Sequence, residues 1–575
     1  MTRPGTARHG RRRRFVLPVR GRVGGERQTG AVFLALRSTS RGVIATELTD
    51  EGDLVEETIV ADADLAAWVA AREPGRPRWV WNDTGRWYPP LLAAGVRVER
   101  CVDLRLCHTI LRNAVASAGS ALATADRDAW DAPAPSRASA ASDALFDLEA
   151  PPDDDDPVAE WRRQQDAVAA ARDDGRLALL LAAESVGALV AAEMSFAGLP
   201  FDVAEHDRAL TELLGERTPG ARPAKLEALA VRLRELLEAP ALNPDSQQDL
   251  LKALQNAGFR VESTSKWELR EIDHPAVAPL LEYKSLPRLH SANGWHWAKE
   301  WVRDGRFRPV YVPGGVVTGR WAADGGGALQ LPKQVRSAVV PDSGWTFVVA
   351  DASQLEPRVL AAMSGDRAMA RAGQASDMYQ GMVETGAVET RSQAKYGMLG
   401  AIYGGTTGES GRMRPRIEKA FPAAMAYVEA AARAGEHGDV VSTWLGRSSP
   451  PGRGLAYDET ASPAQQRSTQ QRAAAWGRFT RNFVVQGTAA EWALCWMGSL
   501  RRRLWMLGGD GILAKPHLVF FLHDELVVHT PVAFADDVAA LMREAAADAG
   551  RLLFGGVPVE FALSVAIVER YSDAK

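Results

Sequence analysis

Polar and apolar residues alternate at short range near the start of the chain and at helical spacing further on. From about Ala31 to Leu111, the segments AVFLALRS, GVIATELT, ADLAAWVAARE, RPRWVWN and LLAAGVRVERCVDLRL switch between strand-like and helix-like character, which predicts a small α/β domain. Residues 129–157 then turn rich in Ala, Ser, Pro and Asp and end in PPDDDDP, the composition of a linker. Helical spacing resumes over Val158–Phe196 and Ala221–Ala239, and Ser246 with Asp249 three residues on marks another helix start. From Trp345 the pattern gives a strand, WTFVVAD, a helix-rich stretch from Glu356 to about Met506, and a strand-turn-strand, HLVFFLHDELVVHT. The apolar run Leu177–Phe201 is long enough for a membrane, but Glu184 and Glu193 fall inside it, so a buried helix and no membrane is expected. No repeat of fixed period is found.

At 575 residues the chain has room for several domains, and 46% apolar with 24% charged residues is ordinary globular composition. Three cysteines, Cys101, Cys107 and Cys495, form no CxxC pair and no disulfide framework, so a cytoplasmic protein is expected. The start, MTRPGTARHGRRRRF, is basic without a following apolar run, and residues 1–28 read as a disordered basic arm. A net charge of -4 means that any nucleic-acid surface must gather its positive charge on one face.

Four constellations carry possible chemistry. The run VVADASQLEP delivers Asp351 to the end of a strand just before a helix that tolerates Pro357 in its first turn. In HLVFFL-HDE-LVVHT, His523, Asp524 and Glu525 stand at a hairpin tip, where adjacent carboxylates call for a hard cation such as Mg²⁺. Arg391, Lys395 and Tyr403 follow one another at i, i+4 and i+12, two cations and an aromatic suited to a triphosphate and its nucleoside. Arg478, Asn482 and Gln486 recur every fourth residue, a stripe able to hydrogen bond phosphate, sugar and base edges. Taken singly, each has an ordinary alternative: a helix cap, a solvated turn, a cationic face, a polar face.

In this order the four elements resemble the family A DNA polymerases, of the bacterial DNA polymerase I type. Asp351-Ala-Ser-Gln-Leu-Glu356 is similar to the family's motif A, Arg391-x3-Lys395-x7-Tyr403-Gly404 to motif B and His523-Asp524-Glu525 to motif C. Thr318-Gly319-Arg320, Leu329-Gln330 and Arg336 resemble the segment joining thumb to palm, and LNPDSQQDLLKAL with LLEYKSLPRLHS resembles the thumb. The likeness runs from about Leu177 to the C terminus.

It implies a mixed α/β and α+β multidomain chain: a right-hand polymerase with thumb over 158–340, palm over 341–365 and 481–575, and fingers over 366–480. Asp351, Asp524 and the Ala352 carbonyl are implied to hold two Mg²⁺ ions, with Glu525 beside them. Arg391 and Lys395, with Gln354 and Tyr379 nearby, are implied to meet the incoming deoxynucleoside triphosphate, Lys395 in a catalytic role. Glu356 and Tyr403 are implied to exclude ribonucleotides, and Arg320, Gln330, Arg336, Arg478, Asn482, Gln486 and His523 to follow the primer-template DNA. Three positions depart from the family: Ala352 and Leu399 stand where aromatics are usual, and Tyr379 where a phosphate-binding histidine is frequent.

By the same likeness, residues 29–128 resemble a ribonuclease-H-like 3′-5′ exonuclease domain. The first strand lacks the usual acids, and Glu47, Asp83 and Asp103 are scattered candidates, so a degenerate domain without proofreading is expected. No stretch resembles a 5′ nuclease. A monomeric, nucleoid-associated DNA polymerase for gap filling or repair is the leading expectation; a single-subunit RNA polymerase or a non-catalytic DNA-binding factor are the alternatives.

Overall fold

The computed structural model describes residues 33–574 except 133–154, 174, 219, 325, 328, 330, 406–407 and 455–461. The basic arm and most of the linker, along with Gln330, lie outside the described residues.

Residues 33–103 build a five-stranded mixed sheet from β1 (Phe33–Thr39), β2 (Gly42–Leu48), β3 (Leu54–Val60), β4 (Arg78–Trp81) and β5 (Cys101–Asp103), in the order β3-β2-β1-β4-β5. β4 runs parallel to β1 and β5 parallel to β4, while β2 and β3 are antiparallel additions. Trp79, Trp81 and Tyr88 fill one side of this unit; Val80, Leu48 and Trp130 fill the other.

Asp83 and Asp103, expected to be scattered, stand two residues after β4 and at the end of the neighbouring β5, and cap helices α1 (Thr84–Ala93) and α2 (Leu104–Asn113). Asp103 accepts hydrogen bonds from the N–H groups of Thr84 at 2.8 Å and Leu106 at 3.1 Å. Glu47 is tied instead to Arg72 at 2.9 Å on β2. Burial, and after it the charge of Asp83, push the Asp103 carboxyl up to about 7. An unfolded aspartate titrates near pH 4, so from there to about pH 7 the native state holds a proton that the unfolded chain has released. Rising pH then destabilises the fold. Asp103→Asn, which keeps an oxygen acceptor, is expected to flatten the fall in melting temperature between pH 5 and 8 by a few degrees; an unchanged slope in a melting series would contradict this.

The linker composition does not mark the boundary of this unit. Residues 129–131 form a capped turn whose Trp130 is buried, and helix α3 (Pro157–Ala169) packs on α2 and β1 through Trp161. The helix that opens the implied thumb therefore packs with the N-terminal sheet.

The helical pattern over Val158–Phe196 forms two helices, the second close to the apolar run Leu177–Phe201. The chain breaks after Ala169, and α4 (Arg176–Ala197) starts anew. Asp173 accepts the Gly175 N–H at 3.1 Å, and Gly175 takes a left-handed φ of 83°. α4 is apolar on all sides because both sides are covered. Leu189 and Ala192 join the N-terminal core, whereas Leu180, Val190 and Met194 join the main core of the chain. Gly187 lets it approach helix α8 (Pro463–Leu504): a Cβ there would stand 2.5 Å from a Leu494 methyl. Among the described residues α4 is the one helix long and apolar enough to cross a membrane, and two thirds of its most apolar stretch is buried inside the protein. Its two acids are paired: Glu184 with Arg447 at 2.7 Å, and Glu193 with Arg501 at 2.6 Å and the Tyr88 hydroxyl at 2.5 Å.

Shorter helices between Val203 and Trp301 follow, including Gln247–Asn256, capped by the Ser246 hydroxyl as its sequence predicts. The second sheet is antiparallel. It comprises β6 (Trp345–Ala352), β7 (His517–Leu522), β8 (Glu525–Pro531) and β9 (Leu563–Val568), in the order β7-β8-β6-β9. The continuous apolar run of β6 reflects burial: Phe347, Val348 and Ala350 are fully enclosed, with helix α9 (Ala535–Phe554) and the turn Tyr571–Ala574 packed on the strand.

Candidate active site

Strand pairing brings the two distant acids to one end of one sheet. β6 runs beside β8 with Asp351 opposite Glu525, and β7 returns to β8 through the two-residue loop His523-Asp524, closed by the Leu522–Glu525 pair. The Ala352 N–H donates to the Asp524 carbonyl oxygen at 2.9 Å, fixing the end of β6 to that loop. A two-residue hairpin loop requires a positive φ. His523 supplies it at 60°, and Gln354, entering helix α5 (Leu355–Ser364), has φ 51°. A side chain in this region costs roughly 1–2 kcal/mol, so both turns hold unfavourable backbone next to the acids.

Glu525 does not share the tip with Asp524. It is the first residue of β8, 2% exposed, and receives the Tyr571 hydroxyl, with an Arg336 guanidinium nitrogen 3.5 Å away. Arg336, expected along DNA, is buried with its guanidinium 4.3 Å from the Tyr571 ring. The physical reason is placement under the strand end, where an arginine compensates a buried carboxylate.

A cavity of about 510 Å³ opens beside the loop, and nine of the sequence-predicted residues line it: Arg320, Gln354, Glu356, Tyr379, Leu399, Tyr403, Gln486, His523 and Asp524. Glu356 is gripped from both sides. Arg320 forms an ion pair with one carboxylate oxygen, and the Tyr403 hydroxyl donates to the other at 2.8 Å. Burial, then the Glu356 charge, push the Tyr403 hydroxyl above its ordinary value, which keeps it a donor. The Gln354 side-chain oxygen accepts the Met378 N–H at 3.0 Å. Burial pushes the Tyr379 hydroxyl up to about 12.

Arg391, Lys395 and Tyr403 stand on one helix, α7 (Arg391–Tyr403), after helix α6 (Met378–Glu384). Arg391 and Lys395 are exposed in its first two turns. The Arg391 Nε donates to Asp377 at 2.6 Å, and Asp377 also caps α6. Arg478, Asn482 and Gln486 follow one another along α8 as their spacing predicts. The Arg478 stem crosses Gly404, where a Cβ would lie 3.2 Å from its Cγ; Gly404 ends α7 at φ 72°. The Asn482 Oδ1 is buried and makes no hydrogen bond among the described residues.

Two residues that the sequence reading passed over organise this region. Asp377 follows Ser376 directly before a helix start, a cap signal that the sequence carries. Arg481, 4% exposed, reaches the Ala401 carbonyl in the last turn of α7 and pairs with Glu429. Nothing in its spacing announces that reach.

Residues 221–569, more than half of the chain, match the family model for DNA polymerase family A. DNA polymerase I of Chloroflexus aurantiacus is 29% identical over 333 residues, covering 53% of this chain and 33% of that protein. The thermostable DNA polymerase I of Thermus thermophilus is 28% identical over 351 residues, covering 56% and 39%. This chain spans about a third to two fifths of the length of these relatives. Among solved structures, the POL domain of Pol1 from M. smegmatis, in complex with DNA primer-template and dNTP, shares the fold at a TM-score of 0.65 and 18% identity, over 95% of this chain and 96% of that one. By its sequence match, and with motif acids Asp351 and Asp524 joined at one sheet end, the chain belongs to DNA polymerase family A.

Proposed function

We propose that the chain is a DNA-templated DNA polymerase that extends a primer 3′-hydroxyl with deoxynucleoside triphosphates. The observation that carries this reading is the meeting of Asp351 with Asp524 beside a cavity lined by Arg320, Glu356, Tyr403 and Gln486. Two carboxylates and the Ala352 carbonyl are an all-oxygen donor set, which fits Mg²⁺. Two such ions, when bound, supply Lewis acidity to the 3′-hydroxyl and to the leaving pyrophosphate.

The chain's own residues do the rest. Lys395 and Arg391 neutralise the triphosphate, Arg391 exchanging Asp377 for phosphate oxygens. Glu356, held by Arg320 and Tyr403, fills the space beside the sugar C2′ and favours deoxynucleotides. Gln486, Asn482 and Arg478 follow the primer-template, and the free acceptor lone pair of Asn482 Oδ1 suits a donor on a minor-groove base edge. Palm, fingers and thumb follow the segments given above, with the thumb starting after α3. Asp83 and Asp103 serve as helix caps, which supports a unit without proofreading. The enzyme acts as a cytoplasmic monomer at the nucleoid, in gap filling or repair.

Extension of a labelled primer on a longer template with Mg²⁺ tests the reading. Full-length product with deoxynucleotides, and no shortening without them, is expected. Product with ribonucleotides alone would make it an RNA polymerase, and no product with either would leave a DNA-binding factor.

Leu399, half-buried in the cavity wall, gives a further expectation. Aromatic stacking on a base contributes roughly 1–3 kcal/mol, so Leu399→Tyr should lower the KM for deoxynucleotides about tenfold. A KM equal to that of the wild type in steady-state extension would show that residue 399 does not face the incoming base.

A further inference from the structure

Outside the second sheet, a histidine and two aspartates converge on the N-terminal unit. His108 lies on α2 and is 1% exposed. Its Nδ1 faces Glu160 Oε1 at 2.8 Å, and Glu160 is itself fixed by Arg163 Nε at 2.6 Å and Gln164 Nε2 at 2.6 Å. The other ring nitrogen, Nε2, is buried and makes no hydrogen bond among the described residues. It is aimed at two carboxylates: Asp131 Oδ1 stands 3.6 Å away, and ligand atoms of His108, Asp128 and Asp131 all lie within 4.8 Å of one another.

The acids are held in place independently of His108. Asp128 donates its N–H to Asp131 Oδ2 at 2.9 Å, its own Oδ1 accepts the Trp130 N–H at 2.9 Å, and the buried Trp130 anchors the turn. Arg163 reaches Asp128 at 2.8 Å and Arg112 reaches Asp131 at 3.3 Å, so the carboxylates are partly neutralised yet keep lone pairs. An imidazole oriented by a carboxylate on one nitrogen, with the other directed at further oxygen ligands, is the arrangement of metal-binding histidines.

We propose that His108, Asp128 and Asp131 form a zinc site in the N-terminal unit. One imidazole nitrogen with two carboxylates suits Zn²⁺ rather than Mg²⁺, which prefers oxygen alone. Ligands of tetrahedral zinc lie roughly 3.4 Å apart, so the His108–Asp131 pair is already near that spacing. Asp128, exposed at the rim, leaves the fourth position to water. Through Glu160, the ion would clip α2 and the turn to α3. Asp155, just before α3, pairs with Arg105 of α2 at 2.5 Å and ties the same two helices together. The site does not depend on the proposed polymerase chemistry.

The test uses the full chain, stripped with chelator and dialysed against micromolar Zn²⁺ in millimolar Mg²⁺, so that Mg²⁺ competes at the all-oxygen acids. Metal content by mass spectrometry and thermal melting are read for the wild type, Asp131→Asn and Asp128→Asn, which both retain oxygen acceptors for the turn. Expected is about one zinc per chain more in the wild type than in either variant, and a zinc-dependent rise of several degrees in its melting temperature only. Equal zinc content in all three proteins, or none in the wild type, would overturn the site and leave a metal-free contact between His108 and its acids.

Discussion

Asp524→Ala is expected to slow primer extension at least about a thousandfold, equivalent to about 4 kcal/mol of lost transition-state stabilisation, while primer-template affinity stays within about twofold. The loop should survive the change, because it is the Asp524 carbonyl, not its side chain, that accepts the Ala352 N–H. Single-turnover extension and a filter-binding titration separate the two effects. Near-normal extension would remove Asp524 from the reacting centre. Glu525 should behave differently: buried between Tyr571 and Arg336, it should show its loss in melting temperature as well as in rate.

The second large effect is expected outside the cavity lining, one helical turn beyond Met497. Arg501, 5% exposed on α8, donates to Glu193 at 2.6 and 2.8 Å and to the Glu99 carbonyl at 2.9 Å. Against the opposing effect of burial, Arg501 and Arg97 hold the Glu193 carboxyl below its ordinary value. Arg501→Met leaves that carboxylate enclosed with Arg97 at 3.6 Å as its remaining ion pair. Breaking such a pair from one side costs about 3–5 kcal/mol, so melting should fall by about 5 °C. Adding Glu193→Gln should recover most of the loss. If the double variant melts no higher than the single one, the pair is not the source of the stability.

The chemistry was more legible in the sequence than the packing around it. The spacing of Arg391, Lys395 and Tyr403 puts them on one helix because an α-helix has one periodicity. The strand ending at Asp351 and the hairpin at Asp524 could likewise be read from apolar runs. What one-dimensional pattern does not contain is register: the pairing of Asp351 with Glu525 bridges more than 170 residues. Three polar letters in a row look like one tip, but Glu525 belongs to the strand. A two-residue loop leaves only His523 and Asp524 outside the strands, and the next residue enters the interior. The reach of Arg481 to Ala401 and the grip of Arg320 on Glu356 depend on tertiary placement alone. The break before Arg176, by contrast, is legible in Asp173 and Gly175, which stand just ahead of the apolar run.

The double burial of α4 bears on where this chain can be cut. A chain shortened to begin at α4 would present Leu189 and Ala192 to water and strand Glu193 without Tyr88. The N-terminal unit is therefore held in the fold by packing alone, whatever chemistry it carries, because the helix it covers is also part of the core of its neighbour.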